Sequence, residues 1–165
     1  MIDPLDQSDS RARMTPRLME SLYTEAMLLA DEARTYFDQS GRDERSQLDP
    51  FVRVGFACES LKVTTRIMHI VAWLLTQRAV ESGELTVSSQ CRPERRLGHA
   101  ADSDQAVIVQ MPRAAQRLID ASIDLYARVS RLDEEGIEEL PVPSPARALI
   151  GRLERDLRLG QGEPQ

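Results

Sequence analysis

The chain has 165 residues and a formal net charge of −6, with a sequence pI of about 5.0. That length suits one domain of modest core with tails, and the acidic balance argues against bulk affinity for nucleic acid or anionic membrane. Two cysteines, Cys58 and Cys91, form no CxxC and no disulfide framework, which fits a reduced, cytoplasmic protein.

Residues 1–14 are polar, with little to bury and no apolar h-region of a signal peptide, and are expected to be disordered. Thr15 and Pro16 open a first helix. Leu18, Leu22, Ala26, Leu29, Ala33 and Tyr36 fall on one face, so this helix should run to about Gln39 and stop at Gly41. The short charged turn from Ser40 to Leu48 then predicts an antiparallel hairpin.

Residues 50–86 read as one long helix. Asp49 is placed to cap it, Pro50 suits its first position, and Gly83 suits a left-handed close. At about 1.5 Å per residue it spans roughly 45–50 Å and should organise the fold. Phe56, Leu61, Val63, Ile67, Met68, Val71, Leu74 and Leu75 fill about half its circumference. That width is more than one neighbour needs, so two elements should pack on it.

The opposite side carries a polar row interrupted by one large aromatic: Glu59, Lys62, Arg66, His69, Trp73 and Gln77. Two readings of Trp73 stay open. Either the row is a contact surface for a partner or a second copy, since Trp is enriched in binding hot spots, or the loop after Gly83 folds back and covers it.

Within this helix the run ESLKVTTRIMHIVAWLLTQRAVESGELT resembles the regulator of CtrA degradation family, RcdA-like proteins of alphaproteobacteria. The matching features are Glu59-Ser60, Thr64-Thr65-Arg66, Met68, Trp73-Leu74-Leu75, Gln77-Arg78-Ala79-Val80 and Gly83-Glu84. The resemblance implies a dimeric three-helix bundle with a mobile C-terminal tail. It also implies an adaptor that presents protein substrates to the ClpXP protease in cell-cycle control, together with a response-regulator partner.

After Gly83 periodicity is lost. Residues 84–104 are rich in Ser, Pro, Gly, Asp and Arg, and a structureless run of that length in a compact domain is often functional. Arg92, Arg95 and Arg96 cluster there and are read as solvated, with a functional basic patch as the alternative. Residues 106–109 are expected to be a short extended segment lying on the helices or joining the next one. A third helix starts near Met111 and Pro112. Ala115, Leu118, Ser122, Leu125, Val129 and Leu132 form a heptad seam widened by Ile119, Ile123 and Tyr126, and Gly136 ends it.

The predicted fold is therefore all-α: an antiparallel up-down-up three-helix bundle over residues 15–136, with a disordered segment 1–14 before it. Residues 137–165 follow as a Pro-containing linker, a short helix with Ile150, Leu153 and Leu157 on one face, and a free tail. That tail helix should dock, on its own bundle or on a partner.

No catalytic constellation is present. Cys58 and His69 lie about three turns apart, Glu59 and Glu84 sit at opposite ends of the long helix, and no Gly-rich phosphate loop occurs. Cys91 and His99 alone do not make a zinc site, so no metal or cofactor is expected. Residues 67–75, the longest near-apolar run, fall far short of a membrane span.

The expected function is a non-catalytic protein–protein adaptor. The candidate partner-binding residues are Glu59, Lys62, Arg66, His69, Trp73, Gln77, Ile150, Leu153 and Leu157. The alternative is a structural or small-molecule-binding bundle whose pocket Met19, Met27 and Met68 would line. A DNA-associated regulator would need a basic recognition helix, and the sequence has none.

Overall fold

A computed structural model of the protein describes residues 16–86 and 92–138. Helix α1 spans Pro16–Thr35 and buries Met19, Leu22, Ala26, Leu29 and Ala33. Leu18, expected on this face, is exposed, and Met19 takes its place. The helix widens into a π turn, Tyr36–Ser40, that closes on Gly41, whose N–H donates to the Tyr36 carbonyl at 2.7 Å. A Cβ at Gly41 would stand 2.8 Å from that carbonyl oxygen, so the turn requires glycine. A short helix α2, Arg42–Ser46, fills the charged connection.

Tyr36 is buried, and its hydroxyl donates to Glu44 Oε2 at 2.6 Å. Burial, then the bond to Glu44, pushes the phenol pKa well above its usual value. A raised pKa means the fold favours the neutral form. This contribution is complete below the unfolded pKa of about 10 and is lost as pH rises beyond it. Alkaline denaturation should therefore be steeper for the wild-type chain than for Tyr36→Phe. Urea titrations of both chains at pH 9 and 11 check this: an equal loss of stability between the two pH values would show that Tyr36 is not the group responsible.

Helix α3, Pro50–Glu81, has the predicted signals: Asp49 Oδ1 accepts from the Phe51 N–H at 3.0 Å, Pro50 is its first residue, and Gly83 beyond its end has φ of 78°. After it come a single 3₁₀ turn, Pro93–Arg95, and a run without helix or strand over residues 97–104, called here the strap. Helix α4, Gln105–Ile108, replaces the extended segment expected at 106–109, because Asp104 Oδ1 caps it by accepting from the Ala106 N–H at 2.9 Å. Helix α5 spans Arg113–Glu138.

The described residues are all-helical apart from these connections, but the helix directions differ from the prediction. Arg78 pairs with Glu20, and Phe56 packs near Tyr36, so α1 and α3 are antiparallel. Gly55 lies against Met111, Arg66 bonds Ser122 and Trp73 bonds Asp133, so α3 and α5 run the same way. The order is up-down-down, not up-down-up. The physical reason is the connection: residues 97–112 return along α3 instead of turning back at its end.

Gly55 lets α4 approach α3 closely, since a Cβ there would meet Val107 Cγ1 at 2.5 Å. The core lies among α1, α3 and α5, with Phe56, Val63, Ile70, Leu74, Ile119, Leu125 and Val129 almost fully buried. Ser122 of the predicted α5 seam is fully buried among them, while Ile123 faces outward.

Candidate protein-interaction site

The polar row of α3 is one continuous face, as its spacing predicts, but it is covered within the chain. Glu59, Arg66, Trp73 and Gln77 are buried, and Lys62 and His69 are half-buried. The strap lies along Glu59, Lys62, Arg66 and His69, and its backbone carbonyls are the main acceptors. Arg66 Nη2 donates to the Ala101 carbonyl at 2.9 Å and to Ser103 Oγ at 2.7 Å. Lys62 Nζ donates to the Asp102 carbonyl at 2.7 Å and to Glu59 Oε1 at 2.7 Å. Ser103 Oγ donates to Glu59 Oε2, and the Tyr126 hydroxyl donates to the Gly98 carbonyl at 2.8 Å.

Farther along, Asp133 joins three elements: it accepts from Trp73 Nε1 at 2.8 Å, from Arg96 Nη2 at 2.9 Å and from the Leu97 N–H at 3.4 Å. Gly98 passes so near His69 that a Cβ there would stand 2.8 Å from its ring. Of the two readings of Trp73, the covering one describes this structure: the row is not a free surface.

The electrostatics follow from that cover. Burial pulls the Arg66 pKa below its usual value, and the Glu59 and Asp102 charges push it back. A guanidinium in this position keeps its charge because it is forked between Ser122 of α5 and two strap groups. Arg96 of the loop cluster is not merely solvated, since it pairs with Asp133.

The sequence reasoning missed Ser103, Tyr126 and Asp133 as members of this network. One signal was available for Ser122. A serine inside an apolar seam calls for a buried partner, and that partner is Arg66, 56 residues away in sequence.

A second face of α3 carries the opposite character. Phe51, Val54, Cys58, Leu61, Thr65, Met68, Ala72 and Leu75 alternate at spacings of three and four, and the large apolar members Phe51, Val54, Leu61, Met68 and Leu75 are all exposed. Leu61, Met68 and Leu75 belong to the wide apolar arc read from the sequence, yet neither α1 nor α5 covers them. Met27 and Met68 are exposed while Met19 is buried in the core, so the three do not share the one core pocket that the small-molecule alternative needs.

Ile150, Leu153 and Leu157 lie outside the described residues. Among the described residues no group of three His, Cys, Asp or Glu side chains is arranged to hold a metal ion, and no helix is long and apolar enough to cross a membrane.

Comparison with known proteins agrees with this architecture. Residues 10–157 match the family described as "Protein of unknown function (DUF1465)". No curated protein matches the chain. Among solved structures, the crystal structure of RcdA from Caulobacter crescentus CB15 is similar at 31% identity and a TM-score of 0.59, covering 79% of this chain and 96% of that one. With a family match over most of its length and this likeness to RcdA over nearly all of that chain, the protein belongs to the DUF1465 family and is RcdA-like.

Proposed function

We propose that the protein is a non-catalytic, cytoplasmic adaptor that acts as a homodimer and delivers protein substrates to the ClpXP protease in cell-cycle control, with a response-regulator partner. The observation that carries the protein-binding part is the exposed heptad row of α3. Its apolar members Phe51, Val54, Leu61 and Met68 are each more than three-fifths exposed, and such a row on a soluble helix marks a protein contact. A two-fold axis would pair it with its own copy. The ClpXP and response-regulator parts rest on the family resemblance.

An adaptor needs no reaction, only two surfaces that raise the substrate's effective concentration at the protease. In this reading the bundle is the folded unit, and residues 137–165, with Ile150, Leu153 and Leu157, supply a second contact. The row from Glu59 to Gln77 contributes through the strap it holds.

Two measurements test the proposal. Sedimentation at tens of micromolar should give twice the chain mass, and Leu61→Glu with Met68→Glu should halve it while far-UV circular dichroism is unchanged. A monomer mass for the unsubstituted chain would sink the dimer. In a reconstituted assay with purified ClpXP and the response regulator, the chain should accelerate substrate degradation; no acceleration and no binding to ClpX would sink the adaptor role.

A further inference from the structure

The strap is held in an unusual way for a permanent cover. Among the described residues its buried apolar anchors are few: Ala100 is buried and Leu97 only partly. The bonds that tie it down come from bundle side chains. Tyr126, Arg66 and Lys62 donate to the carbonyls of Gly98, Ala101 and Asp102, three backbone groups that any residue would present. The path is also extended. Gly98 lies at His69 and Ser103 at Glu59, ten helical residues apart, or about 15 Å. Five strap residues at about 3.3 Å each cover that distance only when nearly straight.

Beneath the strap lie the charged side chains of Glu59 and Arg66, where a lasting seal would be apolar. The groove between α3 and α5 thus has the features of a peptide site: donors spaced for main-chain carbonyls, a carboxylate for a Ser hydroxyl, and room at Gly98 for a chain without a side chain.

We propose that the α3–α5 groove is a binding site for an extended peptide segment, and that the chain's own residues 97–104 occupy it as a displaceable cover. The external ligand is an extended protein segment of small residues with a hydroxyl or acidic group near its C-terminal end, the chemistry of the strap itself. Elements held by a few side-chain hydrogen bonds open at lower free energy than a packed helix, so the cover releases while the bundle stays folded. The inference concerns the chain alone and does not depend on the adaptor reading.

The test uses the full chain with Cys58→Ser, Cys91→Ser and Ala100→Cys, which places one thiol on the buried side of the strap. Its labelling by a thiol reagent should be nearly independent of urea at low concentration, as for local opening. A labelling slope equal to that of global unfolding would overturn the proposal. A peptide of sequence LGHAADSD, residues 97–104, added in excess should accelerate labelling by trapping the open state; no acceleration also overturns it.

Gly98→Val should push the strap off His69 and raise labelling about tenfold. The fluorescein-labelled peptide should then bind this variant at least about tenfold more tightly than the wild-type chain, and Lys62→Met with Tyr126→Phe should remove that gain. A variant with an open strap that does not bind the peptide refutes the site. Should Gly98→Val not fold, the urea dependence and the peptide acceleration decide the matter.

Discussion

Replacing Phe56 with Ala should cost about 3–5 kcal/mol of folding stability. Phe56 is 1% exposed, and its ring centroid lies 5.2 Å from Phe37 in an edge arrangement and 6.1 Å from Tyr36. These three aromatics close the end of the bundle where the chain turns from α1 into α3. In a chain of this size each kcal/mol moves Tm by about 2–4 °C.

Phe51, five residues earlier in the same helix, is 71% exposed. Its truncation should change protomer stability by no more than about 0.5 kcal/mol. Urea denaturation followed by circular dichroism, at a concentration where the chain is monomeric, separates the two. A loss below about 1 kcal/mol at Phe56 would mean that the aromatic cluster contributes little to the core.

That contrast also shows what a periodic pattern conveys. Helix ends depend on local chemistry, and Asp49, Pro50 and Gly83 were readable for that reason. The apolar faces of α1 and α5 were readable too, because each has one apolar face and most of it is buried in the shared core. On α3 two apolar rows coexist, one with Phe56, Val63, Ile70 and Leu74, the other with Val54, Leu61, Met68 and Leu75. Periodicity shows that both are apolar but not which one the bundle covers.

The direction of α5 was out of reach for a different reason. Whether the chain after α3 turns back at once or returns along α3 through residues 97–112 depends on donors of α3 meeting carbonyls of the strap some 35–40 residues away. Composition marked that segment as irregular, and irregular backbone of this kind carries no signal for its path. The polar row was legible as a row. Its cover was legible only as one of two alternatives, since a Trp among charges suits a contact surface and a satisfied interior equally well.

Arg66→Ala brings these threads together. The substitution takes the guanidinium donor from the Ala101 carbonyl, Ser103 Oγ and Ser122 Oγ, although the two hydroxyls keep Glu59 and the Ile119 carbonyl as partners, and hydrogen bonds to a charged group contribute about 1.5–3 kcal/mol. Glu59 keeps Lys62 as a partner at 2.7 Å, so the loss should stop short of that for a fully unpaired buried charge. Arg66→Lys should recover less than half of it, because an ammonium cannot fork between α5 and the strap.

Adding Glu59→Gln to Arg66→Ala should cost less than the sum of the single changes, by about 0.5–3 kcal/mol, since the two charges share one network. The strap sets a ceiling. If residues 97–104 detach, the groups that lost Arg66 regain water, and the global loss cannot much exceed the free energy of opening. Global stability from urea titration should therefore move together with strap opening, read from thiol labelling in the Ala100→Cys background. An Arg66→Ala chain that loses stability while its strap stays as protected as in the wild type would show that Arg66 acts on α5 through Ser122 alone.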